Sequence, residues 1–204
     1  MALRWSSESR ANTAMEPSAR LPERAAAHRE TLGRPGDASV PTREPDEMTK
    51  SKVYVETTVI SYLAASPSRD IVVAGHQETT RAWWNRRGRF ELFVSQAVVD
   101  EASQGNAVAA ARRLAFLEGV SVLGLNAEID AIANQLLRAN AVPAKARIDA
   151  VHIAVAAINR MEYLVTWNLT HIANAAIRGK IEQTCRGAGL RAPVICTPEE
   201  LPET

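Results

Sequence analysis

The sequence contains few cysteines and no long apolar run. Its 204 residues include two cysteines, Cys185 and Cys196, whose spacing fits no metal-binding motif. A disulfide framework and a cysteine-ligated zinc site are therefore excluded, and two isolated thiols are typical of a reducing compartment. No apolar run reaches the roughly 18 residues of a membrane span. We therefore expect a soluble, cytoplasmic protein without a membrane partner.

An excess of charge of one sign is also missing. The chain carries 24 lysines and arginines against 23 aspartates and glutamates, which gives a formal net charge of +1 at pH 7. Such a balance provides no overall attraction to nucleic acid, so binding of this kind has to come from local patches. The sequence also has no glycine-rich phosphate loop and no GxSxG nucleophile motif.

The first 47 residues differ in composition from the rest. They contain five of the ten prolines, seven basic and eight acidic residues, and few large apolar side chains. Such a segment buries too little apolar area to offset the entropy of ordering, so we expect residues 1–47 to be a disordered N-terminal extension. Met48 opens a polar start that runs directly into a strong strand, and we expect it to be the native initiator. A regulatory tail is the alternative.

Residues 48–204 alternate short apolar strands with helices. Strands are predicted at 52–56, 91–94, 121–125, 163–166 and 194–196. Helices are predicted from Thr57, over 70–87, 96–103, 107–117 and 127–140, after Ala146, and over 171–186. This alternation predicts one α/β domain, a three-layer α/β/α sandwich with a central, mostly parallel sheet.

The stretch 146–174 combines an apolar helix, a short strand and a polar strand end. We expect this helix to be buried, because its apolar positions leave almost no polar face. Those positions are Ile148, Val151, Ile153, Ala154, Val155 and Ile158.

Four polar residues stand where strands end or where helices begin after strands. They are Glu56, Glu101, Asp149 and Asn168. A parallel sheet brings the ends of its strands to one edge, where α/β proteins bind ligands. Three clustered carboxylates raise one another's pKa values unless a cation neutralises them, and hard oxygen ligands suit Mg²⁺ or Mn²⁺ rather than zinc. Because magnesium usually meets phosphate oxygens, phosphoester hydrolysis is the predicted chemistry.

Four segments, taken in order, resemble a PIN domain of the VapC-like toxin type. They are VYVETTVISYL, SQAVVDEA, DAVHIAVA and LVTWNLTHIAN, and the final VICTPEEL is similar to the tail of one branch of these proteins. The resemblance covers about residues 52–201. It implies a metal-dependent ribonuclease with an α/β/α sandwich, often a homodimer and often held inactive by a small antitoxin protein.

The resemblance assigns the catalytic and metal-binding roles to the same four residues. Glu56 takes the place of the family's usual first aspartate, and Asn168 falls where many members have another aspartate. The missing charge of Asn168 should weaken a second metal site. Thr58 and Thr166 match hydroxyl residues that hydrogen-bond the acids.

Several positions have a second interpretation. Asp149 alone is also a common first-turn helix charge. Asp100 is the alternative to Glu101, since successive helical residues point about 100° apart and one of the two should face the site; we favour Glu101. His152 is either a ligand or base, or a packed histidine with a nearby hydrogen bond, and we favour the packed histidine.

The sequence therefore predicts a metal-dependent endoribonuclease, a hydrolase that acts as the toxin of a toxin–antitoxin pair. The alternative is a catalytically decayed PIN-fold module that binds RNA or a protein. Lys145 and Arg147 precede the acid of their helix and are candidate contacts to RNA phosphates, with a solvated loop as the other interpretation.

Overall fold

The computed structural model describes residues 50–201. The extension predicted for residues 1–47, and Met48 as its boundary, lie outside the described residues.

The described chain alternates strands and helices. The strands are β1 (Lys52–Val55), β2 (Glu91–Ser95), β3 (Ser121–Leu123), β4 (Tyr163–Val165) and β5 (Val194–Cys196). The helices are α1 (Thr57–Ala64), α2 (Ile71–Asn85), α3 (Gln96–Ala102), α4 (Ala107–Ala115), α5 (Ala127–Arg138), α6 (Arg147–Ile158) and α7 (Ala175–Gly187), and a short 3₁₀ helix, Arg87–Arg89, precedes β2.

The sheet has the order β3-β2-β1-β4-β5, and each of its four pairings is parallel. Helix α1 contacts α2, α3 and α4, whereas α5 contacts α6 and α7, so the helices form one layer on each side of the sheet. The predicted three-layer α/β/α sandwich with a parallel central sheet is therefore confirmed. In the described part of the chain, no helix has the length and apolar character that crossing a membrane requires.

Side-chain caps determine where several helices begin. Asp70, Asn106 and Asn126 each accept backbone N–H groups of the following turn, which satisfies donors that have no partner within the helix. The predicted start of the last helix near His171 is wrong. Helix α7 begins at Ala175, because the Asn174 side chain caps it by accepting the N–H of Ala176.

Helix α6 is packed into the core, as its apolar sequence predicts. Nine of its twelve residues, from Asp149 to Ala157, are buried. Ile158 is only half-buried, and Ile148 is the clearest exception to the prediction, since 40% of its surface is exposed. It precedes Asp149 in the first turn and so points about 100° away from that buried neighbour.

Candidate metal and catalytic site

The carboxyl edge of the sheet brings three polar segments together. β1 lies between β2 and β4, so Glu56 at the end of β1 has the α3 segment after β2 on one side and the segment after β4 on the other. Helix α6 contacts both α3 and β4, which brings Asp149 to the same edge. This placement is the one that the parallel topology predicts.

Glu56 is a buried carboxylate with well-defined donors. It is 3% exposed, and its Oε2 accepts the N–H of Thr58 at 3.1 Å, the Thr58 hydroxyl at 2.5 Å and the Thr166 hydroxyl at 2.7 Å. Three donors on one oxygen fix the orientation of this carboxylate. Within residues 50–201, Oε1 of Glu56 accepts no hydrogen bond, so this oxygen remains available to a ligand.

The two hydroxyls that hold Glu56 are themselves oriented by the backbone after β4. The Thr58 hydroxyl oxygen accepts the N–H of Trp167 at 2.8 Å, and the Thr166 hydroxyl oxygen accepts the N–H of Asn168 at 2.9 Å. Each hydroxyl therefore has its oxygen occupied by an N–H donor and its proton directed at the carboxylate. The Glu56 side chain is fixed before any ligand binds.

Glu101 lies within a second group of hydrogen bonds. Its Oε2 accepts the Thr57 hydroxyl at 2.5 Å and lies 2.9 Å from Nε2 of His152. His152 is fully buried, and its Nδ1 lies 2.8 Å from the hydroxyl of Tyr54, which in turn lies 2.7 Å from the Ser95 hydroxyl. Both ring nitrogens of His152 are therefore hydrogen-bonded.

The charges of this group support one another. Burial acts to lower the pKa of His152, but the hydrogen bond to Glu101 and the charges of Glu56, Glu101 and Asp149 outweigh it and raise the pKa above its ordinary value. Burial acts to raise the pKa of Glu101, but the hydrogen bonds from His152 and Thr57 lower it overall. Glu101 and His152 are therefore described best as a hydrogen-bonded ion pair.

Tyr54 serves this pair as a neutral hydroxyl. Burial raises its pKa far above the ordinary value, and the nearby carboxylates act in the same direction. The hydroxyl consequently keeps its proton. Tyr54, Ser95 and Thr57 were not among the residues predicted for the site, although a tyrosine within a buried aliphatic strand signals a hydroxyl that needs a partner.

Asp149 and Asn168 form the third part of the site. The amide nitrogen of Asn168 donates to Oδ1 of Asp149 at 3.1 Å, and the amide oxygen accepts the N–H of His171 at 3.0 Å. Burial is the main cause that raises the pKa of Asp149. The amide oxygen of Asn168, predicted as a ligand, is thus used to hold the turn, and the nitrogen faces Asp149. In this arrangement Asn168 is a positioning residue for Asp149.

The acid on α3 that faces the site is Glu101. Asp100 is exposed and accepts a hydrogen bond from Gln96 at 2.8 Å, so the alternative ligand is on the solvent side. Among the described residues, potential ligand atoms of Glu56, Glu101 and His152 lie within 4.8 Å of one another. Asp149 lies outside that tight group, although its charge acts on His152.

This donor set fits a hard divalent cation. The carboxylates of Glu56, Glu101 and Asp149 are balanced by one imidazolium, that of His152, and a bound cation would remove the remaining repulsion. Carboxylate oxygens are the ligands that Mg²⁺ and Mn²⁺ prefer. Because both nitrogens of His152 are occupied, this residue fits better as the partner of Glu101 than as a ligand.

The two predicted RNA contacts differ from each other. Lys145 is an exposed loop residue. Arg147 instead donates to Asp130 at 2.8 Å and to Asn134 at 2.7 Å, both on α5. Its charge is paired with a carboxylate, so a contact between Arg147 and RNA would first have to break this interaction.

No family model matches the chain, and neither does any curated protein. Thirteen chains of solved structures match this chain, among them the following two. A crystal structure of VapC20 from Mycobacterium tuberculosis, described as a Sarcin-Ricin loop cleaving toxin, is 16% identical, covers 55% of this chain and 86% of that chain, and has a TM-score of 0.43. VapBC2 from Rickettsia felis, bound to a DNA fragment from its promoter, is 12% identical, covers 72% of this chain and 98% of that chain, and has a TM-score of 0.47.

Proposed function

We propose that this protein is a metal-dependent endoribonuclease that hydrolyses RNA phosphodiester bonds. The supporting observation is Glu56, a carboxylate that is 3% exposed, saturated on one oxygen by three donors and placed within 4.8 Å of ligand atoms of two other ionisable groups. Glu56 is also one of three carboxylates balanced by a single imidazolium, and a cation would remove the remaining repulsion.

Glu56, Glu101 and Asp149 would hold the ion, either Mg²⁺ or Mn²⁺. When bound, such an ion lowers the pKa of a coordinated water and neutralises phosphate charge. The residues around it fix the geometry: Thr58 and Thr166 orient Glu56, Thr57 and His152 orient Glu101, and Asn168 orients Asp149. Partners of this kind commonly change metal affinity by about 10- to 100-fold.

The reaction needs only water as a co-reactant. The water oxygen bonds to phosphorus, the bond between phosphorus and the leaving ribose oxygen breaks, and that oxygen takes up a proton. A carboxylate of the site would accept the proton that the attacking water loses. The products are one strand end with a phosphate and one with a hydroxyl.

We also propose that the protein is the toxin of a toxin–antitoxin pair, with a small antitoxin protein as partner and a homodimer as its assembly. The sequence resemblance to VapC-like PIN domains supports this assignment. We propose with it a cytoplasmic location and a domain that extends from residue 48 onward. Co-purification of the protein with the product of a neighbouring reading frame would test it.

The test of the nuclease assignment is Asp149→Asn. The change keeps the shape of the side chain and its hydrogen bond from Asn168, but removes one negative charge from the ion site. We expect cleavage of mixed RNA in Mn²⁺ to fall by at least about 100-fold, with an unchanged circular dichroism spectrum. Asp100→Asn is the matched control, because it makes the same chemical change on the solvent side of α3, and we expect full activity. Full activity of Asp149→Asn, or wild-type cleavage that persists in EDTA, would contradict the proposal.

A decayed binding module is the second candidate. It is favoured by the amide of Asn168, which replaces a possible acid and directs its nitrogen toward Asp149. Calorimetric titration with Mn²⁺ distinguishes the two functions. No binding at millimolar Mn²⁺ would favour the module, whereas binding that is lost in Glu56→Gln would favour the nuclease.

A further inference from the structure

Helix α7 is bordered by two grooves that are rich in arginine and lysine. The groove between α7 and β5 has a volume of about 680 Å³ and includes Arg178, Arg186 and Arg191 in its lining. The groove between α7 and α5 has a volume of about 610 Å³ and includes Arg138 and Lys180. We call these five residues the α7 basic surface. Since the whole chain has a net charge of only +1, this is a local concentration of positive charge.

The residues that line the two grooves carry little negative charge to balance the α7 basic surface. Among the residues lining the two grooves, Glu182 is the one acid, and within residues 50–201 none of the five basic side chains forms a salt bridge. The Nε atom of Arg178 is buried and has no hydrogen-bond acceptor in the described part of the chain. Positive side chains brought together without counter-charges repel one another unless an anion lies between them.

The α7 basic surface begins next to the acidic site. α7 starts directly after the segment 168–174, whose first residue holds Asp149. On the strand side, Thr166 donates its hydroxyl to Glu56 and its backbone N–H to the carbonyl oxygen of Cys196, the latter at 3.0 Å. Arg178 is in the first turn of α7, so it lies at the end of this helix that follows the segment 168–174.

From this placement we infer that the α7 basic surface binds the phosphate backbone of the single-stranded RNA that flanks the scissile bond. This inference rests on the proposed nuclease function. A helix of 13 residues is about 20 Å long, so the surface can follow several consecutive phosphates away from the site. No aromatic side chain lines either groove among the described residues, which leaves electrostatic contact, independent of base sequence, as the mode of binding.

An acidic protein segment is the competing occupant, because β5 is an edge strand next to the same groove. RNA is favoured for two reasons. Positive charge lies on both sides of α7, whereas a segment paired with β5 would meet only one side. The surface also continues from the site at which a phosphodiester is cleaved in the proposed function.

The experiment measures binding separately from cleavage. A fluorescein-labelled mixed-sequence RNA of 20 nucleotides is titrated with full-length protein in EDTA, and fluorescence anisotropy is read at several salt concentrations. The variant is Arg186→Gln/Arg191→Gln, since both side chains are exposed and their loss should not disturb folding. The control is Arg89→Gln/Arg112→Gln, which removes the same charge from exposed positions beside β2 and on α4, at the other end of the sheet.

Loss of two phosphate contacts should make the slope of log K against log salt concentration shallower by about 0.7 per contact. The variant should therefore bind RNA roughly tenfold more weakly than wild type near 0.15 M salt. The control pair should bind RNA within about twofold of wild type. If both pairs bind RNA like wild type, or lose affinity equally, the inference is wrong. It is also overturned if a poly-glutamate peptide binds as tightly as the RNA and depends on the same two arginines.

Failure of the inference can be told apart from failure of the nuclease assignment. If Asp149→Asn loses cleavage but Arg186→Gln/Arg191→Gln binds RNA like wild type, the nuclease stands and the α7 basic surface has no role in binding. If wild-type protein shows no metal-dependent cleavage and yet RNA binding depends on Arg186 and Arg191, the surface is supported while the nuclease assignment fails.

Discussion

Replacing Thr166 by valine tests whether the Glu56 carboxylate is held as the structure shows. The change keeps the side-chain shape in a position that is fully buried, but removes the hydroxyl between Glu56 and the N–H of Asn168. The hydrogen bond from Thr166 to Glu56 is 2.7 Å long, and the bond that Thr166 accepts from Asn168 is 2.9 Å long. One deletion therefore removes two interactions.

The magnitude follows from these two bonds. A hydrogen bond to a charged group contributes about 1.5–3 kcal/mol, and a polar group left without a partner in a poorly solvated position costs about 1–3 kcal/mol. Glu56 keeps its two donors from Thr58, which favours the lower end of both ranges. We therefore expect the free energy of unfolding to fall by about 3 kcal/mol in the metal-free protein.

Urea unfolding in EDTA measures this loss, and an unchanged m-value would show that the compactness of the two states is unaltered. Thr170→Val is the matched control, because Thr170 is exposed and its hydroxyl makes no hydrogen bond within residues 50–201; a change within about 0.5 kcal/mol is expected there. In a Glu56→Gln background the cost of Thr166→Val should shrink, since a neutral acceptor is worth only about 0.5–1.5 kcal/mol. A loss below about 0.5 kcal/mol, or the same loss in both backgrounds, would refute the described role of Thr166.

Two further predictions concern pH and packing. Folding raises the pKa of His152, so its contribution to stability is complete below the ordinary pKa of 6.5 and is lost as pH rises through the higher folded value. Folding lowers the pKa of Glu101, so its contribution is present above the ordinary pKa of 4.5 and is lost as pH falls through the lower folded value. In urea unfolding, the metal-free protein should therefore have a lower free energy of unfolding at about pH 8.5 than at about pH 6. The difference should be smaller in His152→Gln. The same pH profile in both proteins would contradict the ion pair. On α6, Ile153→Ala should lower the free energy of unfolding by about 2–5 kcal/mol, because Ile153 is fully buried. Ile148→Ala should lower it by less than about 1 kcal/mol, because Ile148 is 40% exposed. Equal losses would show that the burial pattern of α6 is wrong.

The sequence contained enough information for the architecture. Apolar runs of strand length alternating with helical periodicity predict a covered parallel sheet, because such strands can bury both faces only between two helical layers. Most predicted elements were placed correctly but extended one or two residues too far, as with β4, which ends at Val165, and α5, which ends at Arg138. Element ends depend on caps and on strand pairing, which local patterns signal weakly.

The meeting of Glu56, Glu101 and Asp149 at one edge was also predictable. Glu56 stands directly after β1, Glu101 lies on the helix that follows β2, and Asp149 lies in the first turn of the helix that precedes β4. In a parallel sheet the strand ends and the starts of the crossover helices lie at the same edge, so these positions converge. The roles of Asn168 and Arg147 were not predictable. The orientation of the Asn168 amide depends on the N–H of His171, which its oxygen accepts, and the pairing of Arg147 depends on α5 being its neighbour.

The sequence by itself therefore determined the fold class, the buried helix α6 and the set of acids at the carboxyl edge, since these follow from periodicity and chain direction. Only the tertiary structure decided how those acids are held. The contacts among Tyr54, Ser95, Glu101 and His152 join positions 41 to 98 residues apart, and the α7 basic surface combines α7 with α5 and the β5 segment. Contacts between distant segments depend on the packing of whole layers, and no local pattern in the chain records them.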